Sequence, residues 1–418
     1  MKKLIFFIIF SIIASSAWSR HFPVGTQNIY IHPVTGVRTE LLKNIAPIIE
    51  KSIANGHYPG AVILVGHKGK IIYRGVFGNR RIIPDIAPMQ ADTIFDIASL
   101  TKVIATAPAI MQLVEQGKIN IDAPVANYWP AFGKHGKEVI TVRQLLTHTA
   151  GLPAEIPYLY KITDKHDAFN RITQIKWQQN AGKTFLYSDV NFIVLAHLVE
   201  IITHESFDHY VQKNIFTPLG MQHTFFVPDK KWRDQIAPTE VIEHELRWGV
   251  AHDPHAYLSG GVMGNAGVFS DAHDIGIYAQ ALLNGGKLPQ PYAQQTHFLS
   301  PLSVAKMTSA QTPDSVIDTR GFGWDIDSRY SNRGHLFPVQ SFGHTGYTGA
   351  SLWIDPVTQT WIVFLVSRTH PVPEKHNQLI SDRQMIANII SASIVDINNH
   401  LLLNTSRGEL ERAFARFI

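Results

Sequence analysis

The chain has 418 residues, 45% hydrophobic and 17% charged, which is ample for a large buried core and excludes a disordered or fibrous protein. Thirty-seven basic residues against 33 acidic ones leave a formal charge of +4, too mild for the basic stripe of a nucleic-acid binder. There is no cysteine, so disulfides, thiolate zinc sites and thiol nucleophiles are excluded.

The first residues read as an address. Lys2 and Lys3 form a basic n-region, and Leu4 to Ala17 is apolar apart from Ser11, Ser15 and Ser16. Ala17 and Ser19 fit the small positions before a cleavage between Ser19 and Arg20. The run falls short of the roughly 20 apolar residues that a spanning helix needs. Residues 1–19 are therefore expected to be a secretory signal peptide, with an uncleaved anchor as the alternative. The mature chain is expected in the periplasm or outside the cell, with membrane contact only through the signal peptide. Export without cysteine points to a bacterial source.

Glu40 to Ala54 has helical spacing, and Pro47 inside it predicts a kink or a later start. Ala61 to Val65 and Ile71 to Phe77 are two β-rich runs separated by His67-Lys68-Gly69-Lys70, a hairpin signal. Ser99 opens a helical pattern that runs to Gln116, with Gly117 as a stop and a kink expected at Pro108. A second apolar helix is expected over Phe192 to Ile202. Ala350 to Asp355 and Thr360 to Val366 form another hairpin pattern, and Leu379 to Ile394 another helix. Glu409 to Ile418 sets Leu410, Phe414, Phe417 and Ile418 on one helical face, for packing on the body or for a partner contact. Strands thus come from both ends of the chain, and a helix- and loop-rich stretch lies between. The simplest architecture is one sheet with an inserted helical region.

Ser99-Leu100-Thr101-Lys102 has the form S-x-x-K, and so has Ser303-Val304-Ala305-Lys306. The first opens a helix, where Ser and Lys three apart share a face. A lysine there activates the hydroxyl if burial and neighbours lower its pKa. Helix capping is the plain alternative for Ser99. Tyr187-Ser188-Asp189 precedes the second helix, and Asp189 reads equally as its N-cap. Gly343-His344-Thr345-Gly346-Tyr347 precedes a strand, where Thr345 could simply be a strand residue. His252-Asp253-Pro254-His255 is the tightest group among 21 histidines. Its proline and short spacing favour a loop over a metal site. His148 reads as structural.

Ser99-x-x-Lys102, Tyr187-x-Asp189 and His344-Thr345-Gly346, in that order, resemble the three elements of the serine β-lactamase and penicillin-binding protein superfamily. The phrases Phe95–Lys102, Leu145–Pro153, Gly264–Ser270 and Gly349–Pro356 are similar to its class C β-lactamase-like branch of D-Ala-D-Ala carboxypeptidases and esterases. The resemblance implies an α/β (α+β) fold with an antiparallel sheet flanked by helices. Its expected catalytic domain is 40–398, with sheet from about 40–94 and 322–398 and helices over 95–321. Residues 20–39 would be an extension and 399–418 a tail.

It also implies a serine hydrolase with a Ser99 acyl-enzyme, in which Lys102 and Tyr187 share the proton work. The backbone N–H groups of Ser99 and Tyr347 would form the oxyanion hole. Asp189, His344, Thr345, Gly346 and Tyr347 would bind substrate, His344 and Thr345 holding a carboxylate or shaping the cleft. No metal or cofactor is implied. The leading function is a carboxypeptidase of cell-wall peptides. The alternatives are a class C-like β-lactamase, a carboxylesterase, or a non-catalytic binding protein of the same fold. Two positions depart from the pattern. His344 stands where many members carry Lys, so carboxylate affinity is expected to fall as pH rises through about 6.5. Asp189 stands where class C enzymes carry Asn, and an ionised Asp only accepts hydrogen bonds.

Overall fold

The two hairpin patterns become the centre of one sheet. β2 (Gly60–His67) and β3 (Lys70–Arg81) pair antiparallel across Lys68 and Gly69, both at positive φ. That geometry matches a two-residue hairpin turn, whose twist suits the flanking strands. β8 (Ser351–Asp355) and β9 (Thr360–Val366) form the other hairpin, and β9 pairs with β2. A strand from the early part of the chain thus pairs with one from its late part in mid-sheet. The structure, a computed structural model, describes residues 27–177, 181–373 and 378–397. The expected signal peptide and amphipathic tail lie outside them.

Among the described residues the sheet has nine strands. The other five are β1 (Asn28–Ile31), β4 (Ala87–Pro88), β5 (Thr319–Arg320), β6 (Asp325–Asp327) and β7 (Phe342–Thr345). The order is β1-β3-β2-β9-β8-β7-β6-β5, antiparallel throughout, with β4 also on β3. β2, β8 and β9 are buried at every residue because helices cover both faces. Ala61, Ile63, Val65 and Phe364 point to one core. There they meet α1 (Ile45–Ala54) and α5 (Gln378–Ser393), through Ile45, Ile49, Ile386 and Ile390. Each such side chain contributes about 1.5–3 kcal/mol on burial. Val62, Leu64, Leu352 and Val363 face the larger core shared with α4 (Ala272–Leu283). Gly276 lets α4 approach closely, since a Cβ there would lie 2.7 Å from the Trp361 ring. Pro47 falls in the first turn of α1, so the later start holds.

The expected helix from Ser99 is three pieces. Ala98–Leu100 is a 3-10 turn, Lys102–Thr106 is π-helical, and α2 covers Ala107–Glu115. Pro108 has no N–H to give, and in the wider register the bereaved acceptor is the Val103 carbonyl. The buried Tyr278 hydroxyl donates to that carbonyl at 2.6 Å. α3 (Asp189–Thr203) is the second apolar helix. Among the described residues no single helix is long and apolar enough to cross a membrane.

Candidate active site

Ser99 is held from below. Asp96 accepts from the Ala98 N–H at 2.8 Å, and Ala98 sits at φ +44°. Left-handed backbone costs a non-glycine residue about 1–2 kcal/mol. Around it, Ile97 N–H donates to the Val268 carbonyl at 3.0 Å and Val268 N–H donates to Thr101 Oγ1 at 3.2 Å. The Thr348 hydroxyl donates to the Asp96 carbonyl at 2.7 Å, tying this turn to the end of β7. Gly346 has to be glycine, because a Cβ would lie 2.4 Å from the Ile97 carbonyl oxygen.

Lys102 is fully buried beneath the serine, and its Nζ is the hub. It donates to Ser99 Oγ at 2.9 Å and to the Asn265 carbonyl at 3.0 Å, and it lies 2.7 Å from Asp189 Oδ1. It also stands 4.9 Å from the Tyr187 ring centroid. Asp189 is not the cap of α3. Ser188 caps it, its Oγ accepting from Asn191 N–H, and Asp189 is thereby free to reach Lys102. The lysine does not have the lowered pKa that the spacing suggested. Burial pulls it down, but Asp189 and then Tyr187 outweigh burial and hold it up to about 12. The resting group is an ammonium, a donor to Ser99 rather than a free base.

Behind Tyr187 lies His148, stacked on its ring at 4.5 Å between centroids. Its Nδ1 accepts from Ser188 N–H at 3.1 Å, so the structural role expected for His148 is to seat this tyrosine. His344, in β7, is buried, and its Nδ1 donates to the Thr345 carbonyl at 2.8 Å. Burial, then Arg320 and Lys102, push its pKa well below the ordinary histidine value. That shift argues against the titratable anion binder expected here, so KM for a carboxylate substrate should stay flat across about pH 5.5–8.5, a window around the usual histidine pKa.

Stability should feel these rings instead. His148 is depressed in the same way, and His370 is pushed down to about 4 by burial. Unfolding lets each take up a proton below its unfolded pKa, so their contribution is full above about pH 6.5 and lost as pH falls. Each should remove up to about 1.4 kcal/mol per pH unit below that point. Thermal unfolding at pH 7.5, 6.5 and 5.5 checks this, and His344→Gln should flatten the drop. A midpoint that rises on acidification would contradict it.

A cleft of about 250 Å³ is lined by Ser99, Tyr187, His344, Thr345 and Tyr347, all expected at the site. Three lining residues were not expected, namely Arg320, Asp325 and Tyr330. Arg320 is buried, donates to the Gly323 carbonyl at 2.9 Å, and has an Nε without a partner. Its other nitrogen is 3.6 Å from Asp325, whose own pKa burial raises. Its charge is thus only partly answered. Arg320 ends β5 at the Gly321–Trp324 turn into β6, the strand beside β7, and no sequence motif marks it. The second S-x-x-K, at Ser303, lies on the short helix Pro301–Thr308 with Lys306 exposed.

The His252–His255 stretch is only half a loop, because a helix begins at Pro254. Asp253 caps the helix Pro254–Leu258 and accepts from the Asn265 amide at 3.0 Å. The His252 ring stacks on Tyr347 at 5.5 Å, and the His252 backbone N–H donates to Asp96 at 2.7 Å. One segment thus braces both the cleft wall and, through Asn265, the lysine. Another histidine–carboxylate group, His223 with Asp271 and Asp274, has its oxygens taken up by the α4 cap, the His223 ring and the Thr224 hydroxyl.

An antiparallel sheet beside a helical region, with Ser99 on a cleft and Lys102 buried beneath it, is the arrangement expected of a serine hydrolase. Comparison with known proteins agrees. A family model described as beta-lactamase matches residues 45–384. The chain belongs to the beta-lactamase family. A protein of Escherichia coli (strain K12), named provisionally as a D-alanyl-D-alanine carboxypeptidase, is 30% identical over 92% of this chain and 96% of its own. Among solved structures, a penicillin-binding protein homologue from Caulobacter crescentus superposes with a TM-score of 0.68 at 17% identity, over 87% of this chain and all of that one. EstCE1, a hydrolase with promiscuous acyltransferase activity, gives 0.66 at 21% identity, over 84% and 98%.

Proposed function

We propose that this is an exported peptidase of the D-Ala-D-Ala carboxypeptidase type, acting on cell-wall peptides through an acyl-enzyme at Ser99. The observation that carries the reading is the Ser99–Lys102 pair opening into a cleft that Arg320 lines with an incompletely answered positive charge. A peptide ending in a free carboxylate suits that charge. Tyr187 acts as the phenolate, held by the Lys102 ammonium beside it. Ser99 attacks the carbonyl carbon as its proton passes to the Tyr187 oxygen, and the ammonium also stabilises the charge developing on Ser99 Oγ. The backbone N–H groups of Ser99 and Tyr347 hold the oxyanion. Tyr187 returns the proton to the leaving amine, and water hydrolyses the ester. A carboxylesterase is the second reading. Asp189 favours it, because an ionised carboxylate offers no amide donor to a peptide or β-lactam side chain.

The test uses an acyl-D-Ala-D-Ala peptide and a neutral aryl ester on wild type and Arg320→Met. Release of D-Ala by the wild type is expected. In the variant, KM for the peptide should rise about 10- to 100-fold, the worth of a charged hydrogen bond, while the ester is unaffected. Ester turnover without D-Ala release would move the assignment to the esterase. Equal losses on both substrates would make Arg320 structural.

A further inference from the structure

Asp189 meets more than Lys102. Asp189, Asp253 and His255 each bring one ligand-type atom within 4.8 Å of the others, so two carboxylates and an imidazole share a corner. His255 is 1% exposed, and its Nδ1 lies 3.7 Å from Asp253 Oδ1. Its Nε2 accepts from the Ile156 N–H at 3.2 Å. A ring nitrogen that accepts an amide hydrogen carries none of its own, so the neutral ring must be protonated on Nδ1. That buried N–H has no hydrogen-bond partner within the usual range. It is a donor beside the Asp253 carboxylate, in the corner that Asp189 shares.

The tautomer also decides against a metal ion. A metal bound through Nδ1 would need its proton on Nε2, where the Ile156 N–H already points. The Lys102 ammonium, moreover, already occupies Asp189. Asp253 in turn holds the Asn265 amide, and the Asn265 carbonyl accepts from Lys102. Both carboxylates therefore bear on the lysine, one directly and one through Asn265.

We propose that His255 is a positioning residue for the Ser99–Lys102 pair, its Nδ1–H allowing the Asp189 and Asp253 carboxylates to share one buried corner while Asp189 stays turned to Lys102. This rests on Ser99 being the nucleophile. Without the donor, two like charges face each other. Asp189 relieves the repulsion by taking a proton or by swinging away, and either change loosens the lysine from Ser99.

Three variants separate positioning from folding, read by the rate of Ser99 labelling with a fluorophosphonate probe. His255→Leu keeps the bulk and removes the donor, and should slow labelling about 10- to 100-fold, as loss of an orienting partner does. His255→Gln keeps a donor and should stay within about threefold, less than one net hydrogen bond. Adding Asp253→Asn to His255→Leu removes the repulsion but keeps an acceptor for the helix cap, and should restore most of the rate. Equal damage by Leu and Gln, or a deeper loss in the double variant, would overturn the proposal. The ring is also read without any substrate, from imidazole ¹⁵N shifts assigned by difference against His255→Gln. A neutral Nδ1–H form at pH 7 supports the assignment, and an Nε2–H form or an imidazolium overturns it. A wild type that resists every serine-directed probe would sink the proposed function, while the ¹⁵N result would still decide the role of His255.

Discussion

Ser99→Ala is expected to abolish covalent capture and turnover. The hydroxyl stands 2.9 Å from the Lys102 ammonium and lines the cleft. Removing a nucleophile from a serine hydrolase costs on the order of 10⁶-fold in kcat. Intact mass after incubation with a penicillin is the direct measurement. Wild type should gain one penicillin mass, or consume the drug, and the alanine variant should do neither. A lasting adduct favours slow deacylation and the peptidase reading. Consumption without adduct is the behaviour of a β-lactamase. An intact drug with both proteins would point to a different acyl group and bring Asp189 forward as the cause. An adduct that persists in the alanine variant would remove Ser99 from the mechanism. The alanine should fold normally, because the turn is held by Asp96, Thr101 and Thr348 rather than by the serine hydroxyl.

What the sequence carried well was local. β2 and β9 are continuous apolar runs because both sheet faces are covered, and each has one partner set by a short turn. Ser99 and Lys102 are one turn apart, so their meeting needed no knowledge of the rest of the fold. What it carried poorly came from distant partners. Pro108 signalled a kink, but the π-helical turn depends on Tyr278, 170 residues further on. The wrong sign for the Lys102 pKa has the same origin. Burial could be guessed from an apolar helix, whereas the Asp189 carboxylate at 2.7 Å could not. His344 differs for the opposite reason. A histidine in place of lysine suggests a switchable charge, but burial and two neighbouring cations push its pKa well down. Arg320 carried no motif, and its meaning comes only from the cleft it lines. The reading of His252–His255 as a loop missed that Asp253 caps a helix whose first residue is Pro254.

Lys102→Met is the second large effect, and it decides which role the lysine has. Because its pKa is pushed up to about 12, Lys102 keeps its charge through the working range, and no limb of the rate profile below about pH 10 should belong to it. The sign for stability follows from a raised pKa. The contribution of the pair is complete below the unfolded lysine value, about 10.4, and is lost as pH climbs through the folded one. Removing the ammonium takes away the donor to Ser99 and the charge beside Tyr187 together, so acylation should fall about 10³-fold, within the range of acid–base and electrostatic catalysis. KM for a neutral ester should hardly move, since the lysine lies beneath the cleft rather than on its wall. The single variant also strands the Asp189 carboxylate near Asp253, so a stability loss is expected with it. Lys102→Met with Asp189→Asn separates the two effects. The double variant should recover the unfolding midpoint and remain inactive. If it recovered activity as well, Lys102 would be only a counter-ion for Asp189, and the proton chemistry would rest on Tyr187 alone.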